Sequence, residues 1–173
     1  MNSDQVISRK ITLLGSHSVG KTSLITRFVE GKFPEDYVTT IGLKVDKKTV
    51  KVGSYQLDLL VWDIAGQDDP ARFPNYYLNG CHGFIYVVDL GRPETFQSLK
   101  KNLSMIEGLL PGVPYLLVAN KKDLIRADQL PKVLSKFQVQ PDGVTSAKED
   151  EQVDDVFLAL GKKMINQYES KGA

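Results

Sequence analysis

The sequence is poor in several features, and each scarcity excludes something. One cysteine, Cys81, in 173 residues rules out an intrachain disulfide and any cysteine cluster for zinc or iron–sulfur. No apolar run approaches the roughly 20 residues of a membrane-spanning helix. The longest are Leu57–Ala65, broken by Asp58 and Asp63, then Gly83–Val88 and Val113–Ala119. Charge of one sign is also missing: 22 Lys+Arg oppose 21 Asp+Glu, for a formal net charge of +1, so a dedicated nucleic-acid binder is not expected. Met1–Gln5 has neither the positive region nor the apolar core of a signal peptide. Residue 2 is Asn rather than the Gly of myristoylation, and Ser170–Ala173 holds no prenylation cysteine. The expectation is a cytoplasmic protein with no lipid anchor in this chain, meeting membranes only through partners or through residues outside it. Internal repeats, low-complexity stretches and linkers are absent too. Residues 1–173 read as one domain, with 1–6 and 169–173 as flexible tails. With 42% hydrophobic residues, a chain of this length buries about two-thirds of its extended surface.

What is present is an alternation of short apolar runs with helical patterns, which predicts an α/β domain. Strand one spans Arg9–Leu14, and Gly15–Gly20 forms a glycine-bearing loop. A helix over Lys21–Glu30 keeps Leu24, Ile25 and Phe28 on one face. After a polar connection, Gly31–Thr40, strands at Leu43–Val50 and Gln56–Asp63 form a hairpin about Gly53-Ser54. The second is apolar on both faces, which suits an internal position. Pro70 and Pro74 disfavour a long helix over Asp68–Gly80. Strand four is Gly83–Asp89. The next helix carries Phe96, Leu99, Leu103, Ile106 and Leu110 and stops at Pro111-Gly112. Strand five is Tyr115–Ala119. A helix with Leu130, Val133, Leu134 and Phe137 follows, N-capped by Asp128, and strand six is expected around Val139. The last helix has Val153, Val156, Phe157, Leu160 and Met164 on one stripe, with acids at its start and lysines toward its end.

Three segments carry chemistry. Gly15-Ser16-His17-Ser18-Val19-Gly20-Lys21-Thr22 fits G-x-x-x-x-G-K-[ST] between a strand and a helix. Its glycines let successive amides turn toward phosphate oxygens, and the helix start adds the positive end of its dipole. Lys21 brings a point charge to the β- and γ-phosphates, and the Thr22 hydroxyl can ligate Mg2+. Asn120-Lys121-Lys122-Asp123 follows a strand, at the end where α/β sheets bind ligands. A carboxylate there accepts from the N1–H and N2–H of guanine, which adenine lacks, so a buried unpaired carboxylate penalises the wrong base. The Lys121 stem can cover the base plane. In Trp62-Asp63-Ile64-Ala65-Gly66-Gln67, Asp63 ends an apolar strand, where Mg2+, reached through water, is a natural partner. Gly66 lets an amide approach the γ-phosphate, and Gln67 can orient an attacking water. Trp62 reads as core.

These blocks, in this order and together with Thr145-Ser146-Ala147-Lys148, resemble the Ras superfamily of small GTPases over about Ile7–Tyr168. Rab-like members are nearest, on the Trp62–Gln67 run, Thr40-Ile41-Gly42 and the Tyr76-Tyr77 pair. The resemblance implies a P-loop NTPase fold, a mostly parallel six-stranded sheet with one antiparallel strand and helices on both faces. It implies GTP and GDP as ligands, Mg2+ held by Thr22, Thr40 and Asp63 (through water), and catalysis by Gln67, Lys21, Thr40 and Gly66. The implied nucleotide contacts are the loop Gly15–Thr22 with Ser23, Phe33 edge-on to the base, Tyr37, Thr40, Gly66, Asn120, Lys121, Asp123, Leu124, Ser146, Ala147 (its amide on guanine O6) and Lys148. Switch I covers about 33–42 and switch II about 63–77. An exchange factor, a GTPase-activating protein and effectors would meet them. Hydrolysis is expected to be slow, since no arginine finger is evident; Arg72 and Arg92 are near only in sequence. The alternative is a GTP-binding scaffold with little or no hydrolysis. His17 stands where Ras itself has glycine. It is either a solvent-facing loop residue or one that crowds Gln67 and alters hydrolysis. Lys44 replaces the acidic residue usual after switch I in Rab proteins, and Asp68-Asp69-Pro70 and Pro74 depart from the usual switch II.

Overall fold

The computed structural model describes residues 5–36, 39–67, 72 and 74–172. Six strands form one sheet: β1 (Gln5–Leu14), β2 (Leu43–Val52), β3 (Tyr55–Ile64), β4 (Gly83–Asp89), β5 (Tyr115–Asn120) and β6 (Gly143–Val144). Their order is β2-β3-β1-β4-β5-β6. β2 runs antiparallel to β3, and every other pair is parallel. The helices are α1 (Lys21–Glu30), α2 (Asn75–Leu78), α3 (Leu99–Leu109), α4 (Leu130–Leu134) and α5 (Val153–Gly172). This is the expected α/β architecture. Among the described residues no helix is long and apolar enough to cross a membrane.

The period-2 alternation of strand side chains divides the interior into two cores, one per sheet face. Ile85 and Val87 of β4 and Leu116 and Val118 of β5 join Leu24 and Phe28 of α1 and Phe157 and Leu160 of α5. The intervening Phe84, Tyr86, Val88, Leu117 and Ala119 join Leu99, Leu103 and Ile106 of α3. Continuous apolar runs in β4 and β5 are thus what a sheet covered on both faces requires. Phe28 of α1 stacks flat on Phe157 of α5, with centroids 3.9 Å apart. β2 is the exposed edge. Its Lys44, Lys47, Lys48 and Lys51 guard it against pairing with another strand.

Several boundaries differ from the sequence reading. β1 begins at Gln5, in register with Tyr55 of β3, and α5 reaches Gly172. Residues 5–6 and 169–172, read as tails, therefore lie in regular elements. Contacts among Arg9, Tyr55 and Tyr168 tie the two ends together: the Arg9 guanidinium lies 4.9 Å from the Tyr168 ring centre, and Tyr55 meets that ring edge-on. Phe96, read as part of α3, caps a 3-10 turn at Pro93–Thr95 instead. Phe137, read as part of α4, lies beyond it, and the two rings stack on each other 4.1 Å apart. α4 is capped at Gln129, not Asp128, and the Asp128 carboxylate pairs with Arg126 (3.1 Å) instead. The sixth strand is Gly143–Val144 rather than the Val139 region. Val139 packs into the second core, while the Asp142 carboxylate and main chain pair with Leu117 (each 2.8 Å) and set the register of β6 on β5.

Candidate nucleotide site

From β1 the chain adds β3 on one side of the sheet and later β4 on the other. A crevice opens where the winding reverses, at the carboxyl end of β1. Each implied motif follows the carboxyl end of a strand there. Gly15–Gly20 follows β1, Asp63 is the penultimate residue of β3, Asn120 ends β5, and Thr145 follows β6. A cavity of about 640 Å³ lies at this end. It is lined by His17, Ser18, Gly20, Lys21, Thr22, Ser23 and Gly66 on the inner side, and by Phe33 and Thr40 among the residues of switch I.

The phosphate loop is held by close contacts, and at its first glycine they leave no room for a side chain. Gly15 has φ 140°, and a Cβ there would lie 2.3 Å from the Val87 carbonyl oxygen. Val19 is buried in the first core. The buried Lys21 ammonium donates to the Gly15 and Ser16 carbonyls, at 3.1 and 2.8 Å. Gly66 lies against the loop so closely that a Cβ would be 2.7 Å from the His17 Cα and N and from the Ser16 carbonyl oxygen. The Gln67 amide donates to the Gly15 carbonyl (3.2 Å). The start of switch II therefore rests on the phosphate loop, with exposed His17 at the cavity rim.

Three oxygens converge beside Lys21. The Thr22 hydroxyl donates to Asp63 Oδ2 at 2.6 Å and lies 2.6 Å from Thr40 Oγ1, which is itself 3.5 Å from Asp63 Oδ2. Asp63 is buried, and its other oxygen, Oδ1, has no hydrogen-bond partner among the described residues. Burial pushes its carboxyl above the usual carboxylate value, against the opposing pull of the Thr22 hydrogen bond and the Lys21 charge. An orphaned buried carboxylate oxygen beside two hydroxyls is a set of hard donors, and it fits Mg2+.

The residues that the resemblance assigns to guanine form a connected network. Asn120 Nδ2 donates to the Val19 carbonyl (3.0 Å), while its Oδ1 accepts from Thr145 Oγ1 (3.0 Å) and the Ala147 amide (3.3 Å). The Lys121 ammonium reaches the Ser18 carbonyl at 2.7 Å. Asp123 is exposed rather than buried and unpaired. Its Oδ1 accepts from the Ser146 hydroxyl (2.6 Å), which orients it. Leu124 is 60% exposed at the end of a 3-10 turn, Lys122–Leu124. The exposed Lys148 offers its carbonyl to Arg27 (3.0 Å). Tyr37 and residues 68–71 and 73 of switch II, which include the Asp68-Asp69-Pro70 departure, lie outside the described residues. Lys44 pairs with Asp46 (3.0 Å). Half-buried Trp62 lies under the Lys10 ammonium, 3.5 Å from the ring centre.

Two residues went unmarked in the sequence. Asp89 ends β4 as a buried carboxylate, and the reasoning that singled out Asp63, an acid closing an apolar strand, would have found it. Arg27 of α1 donates from three nitrogens to Ala147, Lys148 and Gly31 carbonyls, a role with no local sequence signature.

The Ras family profile matches residues 10–166. The chain is similar to the Ras-related protein SEC4 of Saccharomyces cerevisiae, 35% identical over 166 residues, 93% of this chain and 77% of the relative. It is 32% identical to the Ras-related protein RABD2a of Arabidopsis thaliana over 178 aligned residues, 100% of this chain and 88% of the relative. The GTP-binding protein YPTM1 of Zea mays is 34% identical over 156 residues, 87% and 75% of the two chains. With four motif loops gathered at one end of a six-stranded sheet and a family match over most of its length, the chain belongs to the Ras family as a Rab-like small GTPase, a GTP-binding and GTP-hydrolysing molecular switch.

Proposed function

We propose that the cavity at the end of β1 holds the nucleotide, with residues 15–22 on the phosphates and Asn120, Lys121, Asp123, Ser146 and Ala147 on guanine. The observation that carries this reading is the orphaned Oδ1 of buried Asp63 beside the Thr22 and Thr40 hydroxyls. Thr22, Thr40 and Asp63 would hold Mg2+, which, when bound, offsets the charge of the β- and γ-phosphate oxygens. Lys21 adds a second positive charge from the loop itself. The Gly66 amide lies against the phosphate loop, and Gln67 follows it, so that a water oriented by its amide side chain attacks the γ-phosphorus in line. Thr40 and Gly66 approach from opposite switches. Loss of the γ-phosphate removes what both would grip, and the switches relax.

Intrinsic hydrolysis is slow in this reading. Arg92, one of two arginines near the switches in sequence, is engaged by Asp89 and the back of the phosphate loop rather than turned to the γ-phosphate. An activating protein would supply the missing charge, an exchange factor would open the site, and effectors would read residues 33–42 and 63–77. Exposed Ile41 and Tyr76 suit such partners. The protein would act in the cytoplasm and meet membranes through partners.

The test is to identify the nucleotide that co-purifies with the protein, and then to follow GTP added with Mg2+ over hours. Recovery of GDP and slow release of phosphate, abolished by a chelator, are expected. Recovered ATP, or GTP persisting unhydrolysed with Mg2+ present, would overturn the reading.

A further inference from the structure

The outer wall of the phosphate loop carries a cluster for which the reaction itself has no need. Asp89, only 1% exposed at the end of β4, accepts from the Gly91 amide (2.9 Å), the Arg92 Nε (3.1 Å) and the Lys121 ammonium (2.7 Å). Both cations go on to the phosphate loop. Arg92 donates through Nη2 to the His17 carbonyl at 2.5 Å, and Lys121 donates to the next carbonyl, Ser18, at 2.7 Å. One anchored carboxylate thus holds two donors against two successive peptide groups.

The consequence follows from peptide geometry. In a trans peptide the carbonyl of one residue and the N–H of the next point in opposite directions. Drawing the His17 carbonyl outward turns the Ser18 N–H inward, and drawing the Ser18 carbonyl outward does the same for the Val19 N–H. Two consecutive amides face one side when the residue between their planes is helical in either hand, and a left-handed residue beside right-handed ones curves them into an anion-binding nest. Ser18 is that residue, with φ 59°, and it lines the cavity. It carries a side chain, which disfavours this conformation. The turn therefore relies on what holds its two flanking planes.

We propose that Arg92 is a positioning residue of the phosphate loop: with Asp89 and Lys121 it holds the peptide planes on either side of left-handed Ser18, and so sets the rate at which the nucleotide leaves. It is not an arginine finger. It acts from behind the loop, through the direction of the Ser18 and Val19 amides. The inference rests on the reading of residues 15–22 as the phosphate loop.

The test is a double-mutant cycle on the full chain loaded with fluorescent GDP and chased with excess GDP. Arg92→Ala, which removes one charge-assisted hydrogen bond to the loop, should speed release about tenfold in the parent. In a Ser18→Gly background the same change should speed release no more than about twofold, because glycine adopts the left-handed turn without help. A purely structural role for Arg92 would give the same factor in both backgrounds. That result, or release at the parental rate in Arg92→Ala, overturns the proposal. Should the alanine variant not fold, Arg92→Gln carries the same cycle with the same outcomes. A parent chain that retains no GDP at all would instead overturn the phosphate-loop reading. GDP retained with release indifferent to residue 92 overturns only this inference.

Discussion

At Gly66 the three atoms nearest a single added methyl group are all backbone: the His17 Cα and N and the Ser16 carbonyl oxygen, all at 2.7 Å. None of these atoms ends a flexible side chain, so relief must come from moving the start of switch II off the loop. That movement would break the Gln67 amide bond to the Gly15 carbonyl and displace the side chain assigned to the attacking water. Misplacement by about 1 Å at a reacting centre costs about 100-fold in rate. Gly66→Ala is therefore expected to lower single-turnover GTP hydrolysis by about that factor, while GDP release changes far less, since the loop and guanine-side contacts remain. Phosphate release measured from preloaded GTP decides the matter, and a variant that hydrolyses at the parental rate would show that Gly66 does not position Gln67. The sequence made Gly66 conspicuous through its motif, but the reason no other residue fits there, contact with His17, is a fact of tertiary packing.

Among the elements, legibility followed how local the cause was. α1, β4 and β5 were plain because each carries its own pattern: a glycine loop and apolar face for α1, and unbroken apolar runs for strands covered on both sides. Phe96 and Phe137 were misplaced because helical spacing could not reveal that each prefers the other ring to its neighbouring helix. β6 was missed because two residues hold too little pattern, and Asp142, which fixes its register, acts across the chain on Leu117. The motif loops of the site were readable for the same local reason, whereas Arg27 was not. Its guanidinium links the end of α1, at Gly31 (3.0 Å), to the Ala147 and Lys148 carbonyls (2.9 and 3.0 Å), 120 residues away. The segment that begins switch I is thereby tied to the loop assigned to guanine. Arg27→Ala should accelerate GDP release about tenfold through loss of these charge-assisted bonds. Arg27→Lys should recover only part, because an ammonium cannot present a planar fork to three separate carbonyls. Unchanged release in Arg27→Ala, measured by fluorescent-GDP chase, would confine Arg27 to holding the fold.

For the molecule as a whole, the parallel strands put all the assigned chemistry at their carboxyl ends, so the opposite pole is free to serve stability alone. There the chain entering β4 is fastened to β1 at His82. Its amide donates to the Lys10 carbonyl (2.8 Å), and its Nδ1 accepts from the Lys10 amide (3.1 Å). Protonation would turn that acceptor into a donor facing a donor, and would add charge beside Arg9 and Lys10. Burial first, then those two cations, lower the imidazole pKa below its ordinary 6.5. In the unfolded chain His82 takes up its proton near 6.5, whereas in the folded protein it does so only at lower pH. Between the two values the unfolded state binds more protons, so stability falls as pH drops through that window and this contribution levels off below the folded value. His82→Asn places an amide oxygen where Nδ1 accepts and does not titrate. With GDP held at saturation to fix the ligand's contribution, urea unfolding midpoints measured from pH 7.5 down to pH 5 should fall more steeply for the parent than for His82→Asn, the two slopes separating below about 6.5. Parallel slopes would mean that His82 takes up its proton at the same pH in the folded and unfolded chain, and that the acid sensitivity of the fold resides elsewhere.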